Sequence, residues 1–122
     1  MTHWERCKPW LEAALEYGMG VMTIDDVQAA IEAGKMQLWP GEKCAAVTEV
    51  QEFPRAKFFN VFLAGGDLEE IKAMVPSFQS FGRYLGCTKV TATGREGWAR
   101  ALKSQGWEKM PLVCLSIPIT QE

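Results

Sequence analysis

Gly65 and Gly66, followed by Asp67 and Leu68 at the head of a helical pattern, are the residues of this chain best spaced for chemistry on an anion. The free N–H groups of a helix N-terminus suit a phosphate, and glycine lets the backbone come close to it. The same turn carries the objection. Asp67, Glu69 and Glu70 stand in the first turn, where carboxylates answer the helix dipole themselves and repel a diphosphate. Each like charge beside a phosphate costs on the order of 1 kcal/mol at a surface, and more once water is removed. His3 is the only histidine and lies near the start of the chain, at a mobile terminus. Ser-His-Asp and Cys-His pairs and a metal centre are therefore not expected, and the metal set is read as none. Cys7, Cys44, Cys87 and Cys114 are far apart, form no Cys-x-x-Cys pair and have apolar neighbours, which reads as four buried, inert thiols.

The glycine turn is positioned by what flanks it. Phe58, Phe59, Val61, Phe62 and Leu63 form an apolar run rich in aromatic and β-branched types, the pattern of a central strand. Beyond the turn Leu68, Ile71, Met74, Phe78, Phe81 and Leu85 recur every three or four residues, and Gly86 stands where a C-cap glycine belongs. Strand, turn and helix make half of a crossover unit, completed by the strand KVTAT at residues 89–93.

Upstream, the spacing predicts a helix over residues 4–17 with Pro9 in its first turn. A second helix opens on the capping pair Thr23 and Asp26, carries Ile24, Val27 and Ile31 on its buried face, and closes at Gly34. Strands over residues 36–39 and 44–53 complete a meander with the central one. Trp39, next to the Pro40 and Gly41 turn, is read either as core or as an exposed partner contact. Downstream, residues 94–106 give a short fourth helix ending on Gly106. Leu112, Val113, Cys114, Leu115 and Ile117 then read as a last strand stopped by Pro118.

The totals bound the rest. A chain of 122 residues, 48% hydrophobic and 23% charged, fits one domain over residues 1–122 with an aromatic core drawn from five Trp and six Phe. A net charge of -2 without clustered Lys or Arg speaks against nucleic acid as a partner. No apolar run approaches the roughly 18 residues of a membrane span, and the N-terminus lacks the apolar core of a signal peptide. The expectation is a cytoplasmic protein with no membrane partner.

The element order of two helices, three strands, helix, strand, helix, strand resembles the GNAT N-acetyltransferase superfamily. The strand KVTAT, the fourth helix, the pair Gly106 and Trp107 and the last strand resemble that family's second conserved block. The words QLWPG, VTEV, LAGGDLEEI and GREGWARAL resemble small GNAT-like proteins encoded by tailed phages and prophages, over residues 20–119. The resemblance implies an α/β (α+β) fold, with a mixed, mostly antiparallel sheet of five to six strands flanked by about four helices. It also implies acetyl-CoA as cofactor, held at Gly65, Gly66, Asp67, Leu68 and Arg95, with Glu49 as catalytic base.

Against that chemistry, the family's loop of Gln or Arg, two residues, Gly, any, Gly or Ala is reduced to the adjacent glycines. Its tyrosine acid corresponds to Leu102, and its asparagine to Arg95. Tyr84 replaces the acid only if its helix turns it into the cleft. Glu49 in VTEVQ also reads as the wet face of an alternating strand. Arg95 and Arg100, with Lys103 a turn on, form a basic face that is either solvated or an aid to CoA phosphates. Two functions follow. One is a phage GNAT-fold protein with little or no acetyl transfer that binds a protein partner in virion morphogenesis or host interaction. The alternative is an active acetyl-CoA-dependent N-acetyltransferase with an unknown amine acceptor.

Overall fold

A computed structural model of the chain describes residues 1–18 and 20–120. Its elements are α1 (His3–Leu15), α2 (Ile24–Glu32), β1 (Gln37–Pro40), β2 (Cys44–Phe53), β3 (Ala56–Gly66), α3 (Leu68–Tyr84), β4 (Lys89–Ala92) and α4 (Glu96–Ala101). A short 3-10 turn, Lys103–Gln105, follows α4. The sheet order is β1-β2-β3-β4, antiparallel up to β3 and parallel between β3 and β4. The fold class read from the sequence stands, with four strands among the described residues instead of five to six.

Helix starts are set by capping. Thr2 and Glu5 exchange side-chain and backbone hydrogen bonds at the head of α1, and Thr23 and Asp26 do so at the head of α2. The chain start is therefore a capped helix, with His3 as its first residue and Nδ1 3.0 Å from Arg6 Nη2, not a loose terminus. Because α1 begins at His3, Pro9 lies past its first turn, inside the helix. Gly86 and Gly106 take the positive φ that ends α3 and the 3-10 turn, as their positions predict.

The sheet divides two apolar clusters. On one face Cys7 and Leu11 of α1 and Val27 of α2 pack on Ala45, Val47 and Leu63. On the other, Val75 and Phe78 of α3 pack on Ala46, Phe59 and Val61. Trp39 belongs to this second face. Its ring meets Phe78, Phe81 and Phe59 edge-on at 4.9, 5.8 and 6.4 Å, and its indole N–H donates to Thr48 Oγ1 at 2.8 Å. The hydroxyl of Thr48 donates in turn to Gln37 Oε1, so the indole and the hydroxyl carried into the core both have partners. Trp39 is half-buried against this cluster and not exposed, so of its two readings the structure supports packing on the core.

Two local irregularities shape the sheet. Register passes from Val47 opposite Leu63 to Thr48 opposite Val61, leaving Phe62 as the extra residue of a bulge. Both Phe62 and Leu63 then pack on the α1 and α2 side. Strand β4 pairs with β3 only at residues 58–61, so residues 62–66 have no strand beside them on that edge among the described residues, and the sheet opens there.

In α3 the ring of Pro76 removes the N–H that would bond the Lys72 carbonyl one turn back. The side chain of Gln105 donates to that carbonyl at 2.8 Å, fixing the 3-10 turn against α3.

The last strand is not formed. Residues 108–120 are exposed and lie outside any sheet, and Leu112, Val113, Leu115, Ile117 and Ile119 are 77% to 94% exposed. The alternation that predicts a strand is present, but a strand also needs a neighbour to bond, and none lies beside this segment among the described residues. Cys114 is exposed with it, contrary to the expectation of four buried thiols. Cys7 and Cys44 are buried and Cys87 is half-buried.

Candidate functional site

Where β3 turns into α3, side chains and main chain of the protein itself meet one another. Asp67 is the N-cap, its side chain accepting from the Glu70 N–H at 3.0 Å while its own N–H donates to the Lys43 carbonyl at 2.8 Å. Glu70 Oε1 accepts from the Lys43 N–H and from the Cys44 thiol, each at 3.0 Å. Burial first, and then the bond and charge of Glu70, push the Cys44 thiol up to about 12. The thiol's hydrogen bond, followed by the Lys43 N–H, draws Glu70 below the usual carboxylate range.

The glycines of this corner are occupied by protein. A Cβ on Gly65 would lie 2.5 Å from the Trp10 carbonyl oxygen of α1. On Gly66, whose φ is 101°, it would lie 2.4 Å from the Lys43 carbonyl oxygen. On Gly41 it would lie 2.0 Å from Glu70 Oε1. These positions are glycine because backbone and carboxylate pack against them.

A second polar group crosses the sheet further along. Thr91 Oγ1 donates to Asn60 Oδ1 at 2.9 Å, and Asn60 Nδ2 donates to Glu49 Oε2 at 3.0 Å, linking β4, β3 and β2 in one row. Asn60 is buried, while Glu49 and Thr91 are half-buried. Glu49 is thus neither a freely solvated residue nor a core one: one carboxylate oxygen is fixed by an amide, and the group reaches the edge of solvent. Asn60 and Thr91 were not singled out from the sequence, although an asparagine in the middle of FFNVFL is the signal that marks the row.

The remaining candidates lie apart. Arg95 stacks on the Tyr17 ring, with Cζ 3.9 Å from its centroid, tying the end of α1 to the start of α4. Leu102 is buried. Tyr84 is exposed on the outer side of α3, stacked on Phe81, away from the row of Glu49. Arg100 and Lys103 are exposed. Among the described residues no three His, Cys, Asp or Glu side chains gather into a metal site, and no helix is long and apolar enough to cross a membrane.

Compared with solved structures, the whole chain superimposes on 96% of a wild-type protein from Thermus thermophilus, with a TM-score of 0.63 at 16% identity. An aminoglycoside acetyltransferase from an uncultured soil metagenomic sample, solved with sisomicin, matches 96% of this chain and 88% of its own, with a TM-score of 0.66 at 11% identity. An acetyltransferase of Trypanosoma brucei matches 90% of this chain and 94% of its own, with a TM-score of 0.55 at 14% identity. The fold is that of the GNAT acetyltransferases. No family model and no curated protein sequence matches the chain, so the likeness is one of architecture.

The GNAT fold implies acyl-CoA, with its pyrophosphate at the turn into α3. The residues at that turn do not fit it. Asp67 already caps the helix, Glu69 and Glu70 add like charge, and the space beside Gly65 and Gly66 is filled by main chain of α1 and of the segment leading into β2.

Proposed function

We propose that this chain is a phage-type GNAT-fold protein that works by binding a protein partner, with little or no acetyl transfer. The observation that carries the reading is the use of Asp67 and Glu70 to cap and brace the first turn of α3, where a diphosphate would otherwise sit. The buried Leu102 in place of a tyrosine acid and the outward Tyr84 support it. The words QLWPG, VTEV, LAGGDLEEI and GREGWARAL support the phage or prophage origin. With that origin go the bacterial host cytoplasm as location and virion morphogenesis or host interaction as role.

A second reading, favoured by the fixed, half-buried carboxylate of Glu49, is an N-acetyltransferase. Glu49 is then the base for the amine, and Gly65, Gly66, Asp67, Leu68 and Arg95 hold acetyl-CoA. A thermal melt with and without millimolar acetyl-CoA separates the two. A ligand at about 100 times its Kd stabilises the native state by roughly 2.7 kcal/mol, a shift of several degrees at this size. We expect no shift. A clear one would move the assignment to the transferase, and an acceptor screen would follow.

A further inference from the structure

We propose that residues 112–119 form a β-strand donated to a second copy of this chain, each copy adding it to the open β4 edge of the other. The segment alternates as a strand must. Val113, Leu115, Ile117 and Ile119 share one face and are all apolar, while Leu112, Cys114, Ser116 and Pro118 share the other. All of its large apolar side chains lie in solvent in the isolated chain. An exposed run of this kind is what an interface looks like before its partner arrives.

The acceptor is on the same chain. Strand β4 ends the sheet, and its outer edge is unpaired among the described residues, leaving main-chain groups ready for another strand. Val90 of β4 and Trp107 border the α3-side cluster, so an added strand with one apolar face extends a core already present.

The root of the segment is fixed while the rest departs. Trp107 is the last residue packed on the domain, Gln105 is bonded to α3, and Lys109 pairs with Glu96 at the start of α4. From residue 108 onward the chain is exposed and does not lie on its own β4. One donor strand and one β4 edge per chain are complementary, so a two-fold pair closes with both β4 edges covered and neither donor strand left over. The inference rests on the segment and the edge alone, and is independent of whether acetyl transfer occurs.

The test uses the full chain. Sedimentation velocity from micromolar to millimolar protein should show a monomer-dimer equilibrium, weakened at least tenfold by Leu115→Asp or Ile117→Asp. Amide exchange over residues 112–119 should slow only at concentrations where the dimer forms. A monomer at every concentration, or a dimer indifferent to both substitutions, would overturn the proposal. Amide protection in residues 112–119 that does not vary with concentration would overturn it too, by placing the strand on its own β4. Because these side chains are exposed in the monomer, the variants should keep the native circular dichroism spectrum. Should either fail to, the exchange measurement on the unsubstituted chain decides alone.

Discussion

Glu70 and Glu49 are both carboxylates bonded across to another element, yet they do opposite things. Glu70 is consumed by the fold. Its oxygen takes the Lys43 N–H and the Cys44 thiol, and Gly41 is glycine because that oxygen lies where a Cβ would be. Glu49 is supported by the fold without being used up, since Asn60 and Thr91 orient it from behind while it remains half-buried. The two regions teach that a helix N-terminus next to glycines is not an anion site when the chain supplies its own anions. A lone strand carboxylate, by contrast, becomes informative once a buried amide is seen to hold it.

The sharpest way to break this contrast is to disturb the corner. Gly66→Ala places a methyl group in a left-handed backbone conformation and within 2.4 Å of the Lys43 carbonyl oxygen. A loss of about 2–3 kcal/mol is expected, read as a fall of roughly 10 °C in Tm. A corner that tolerated alanine would be looser than described and open to a ligand after all.

Titration comes next. The Cys44 thiol is raised in the native state, so its contribution is complete below the ordinary thiol value of 9.0 and is lost as pH rises towards about 12. Denaturant melts across that window should show a declining stability that Cys44→Ser makes shallower. On the acid side the signs reverse. Glu70, held down by the Cys44 thiol, and Asp26, held down by the backbone N–H and then the hydroxyl of Thr23, stabilise the native state above the usual carboxylate range. That contribution disappears as pH falls through their lowered values, so Glu70→Gln should flatten the acid limb of the same curves. Thiol labelling gives an independent view: Cys114 should react in the native protein, and Cys7 and Cys44 only on unfolding.

The smallest effect is expected at the row. Glu49→Gln keeps an oxygen that accepts from Asn60, so stability should change by no more than about 0.5 kcal/mol. For a binding protein the substitution is silent. Abolished turnover with unchanged acetyl-CoA affinity would instead identify Glu49 as the base, and a drop in that affinity would put its role elsewhere.

The parts of this molecule that were legible in the sequence are those with local causes. The α3 stripe from Leu68 to Leu85, the Thr23 and Asp26 cap and the closing glycines announce themselves through spacing alone, and the structure has them. The crossover from β3 through α3 to β4 follows from their order. Contacts between distant residues were not legible. Nothing near Gly65 in the chain says that the carbonyl of Trp10 lies against it, and nothing near Cys44 points to Glu70. The last strand misled for the complementary reason: its alternation is local and real, but pairing is a property of two strands.

Pro76 and Gln105 show one more kind of economy. The acceptor that holds the 3-10 turn to α3 is a main-chain oxygen exposed by a missing N–H, and the side chain of Lys72 has no part in it. Any residue at position 72 offers the same oxygen, so this joint is indifferent to drift there and depends on positions 76 and 105. Replacing Pro76 by alanine would give Lys72 a rival donor inside its own helix. The helix would gain a bond and the domain would lose a latch, and the direction in which residues 108–120 leave the body would no longer be set by α3.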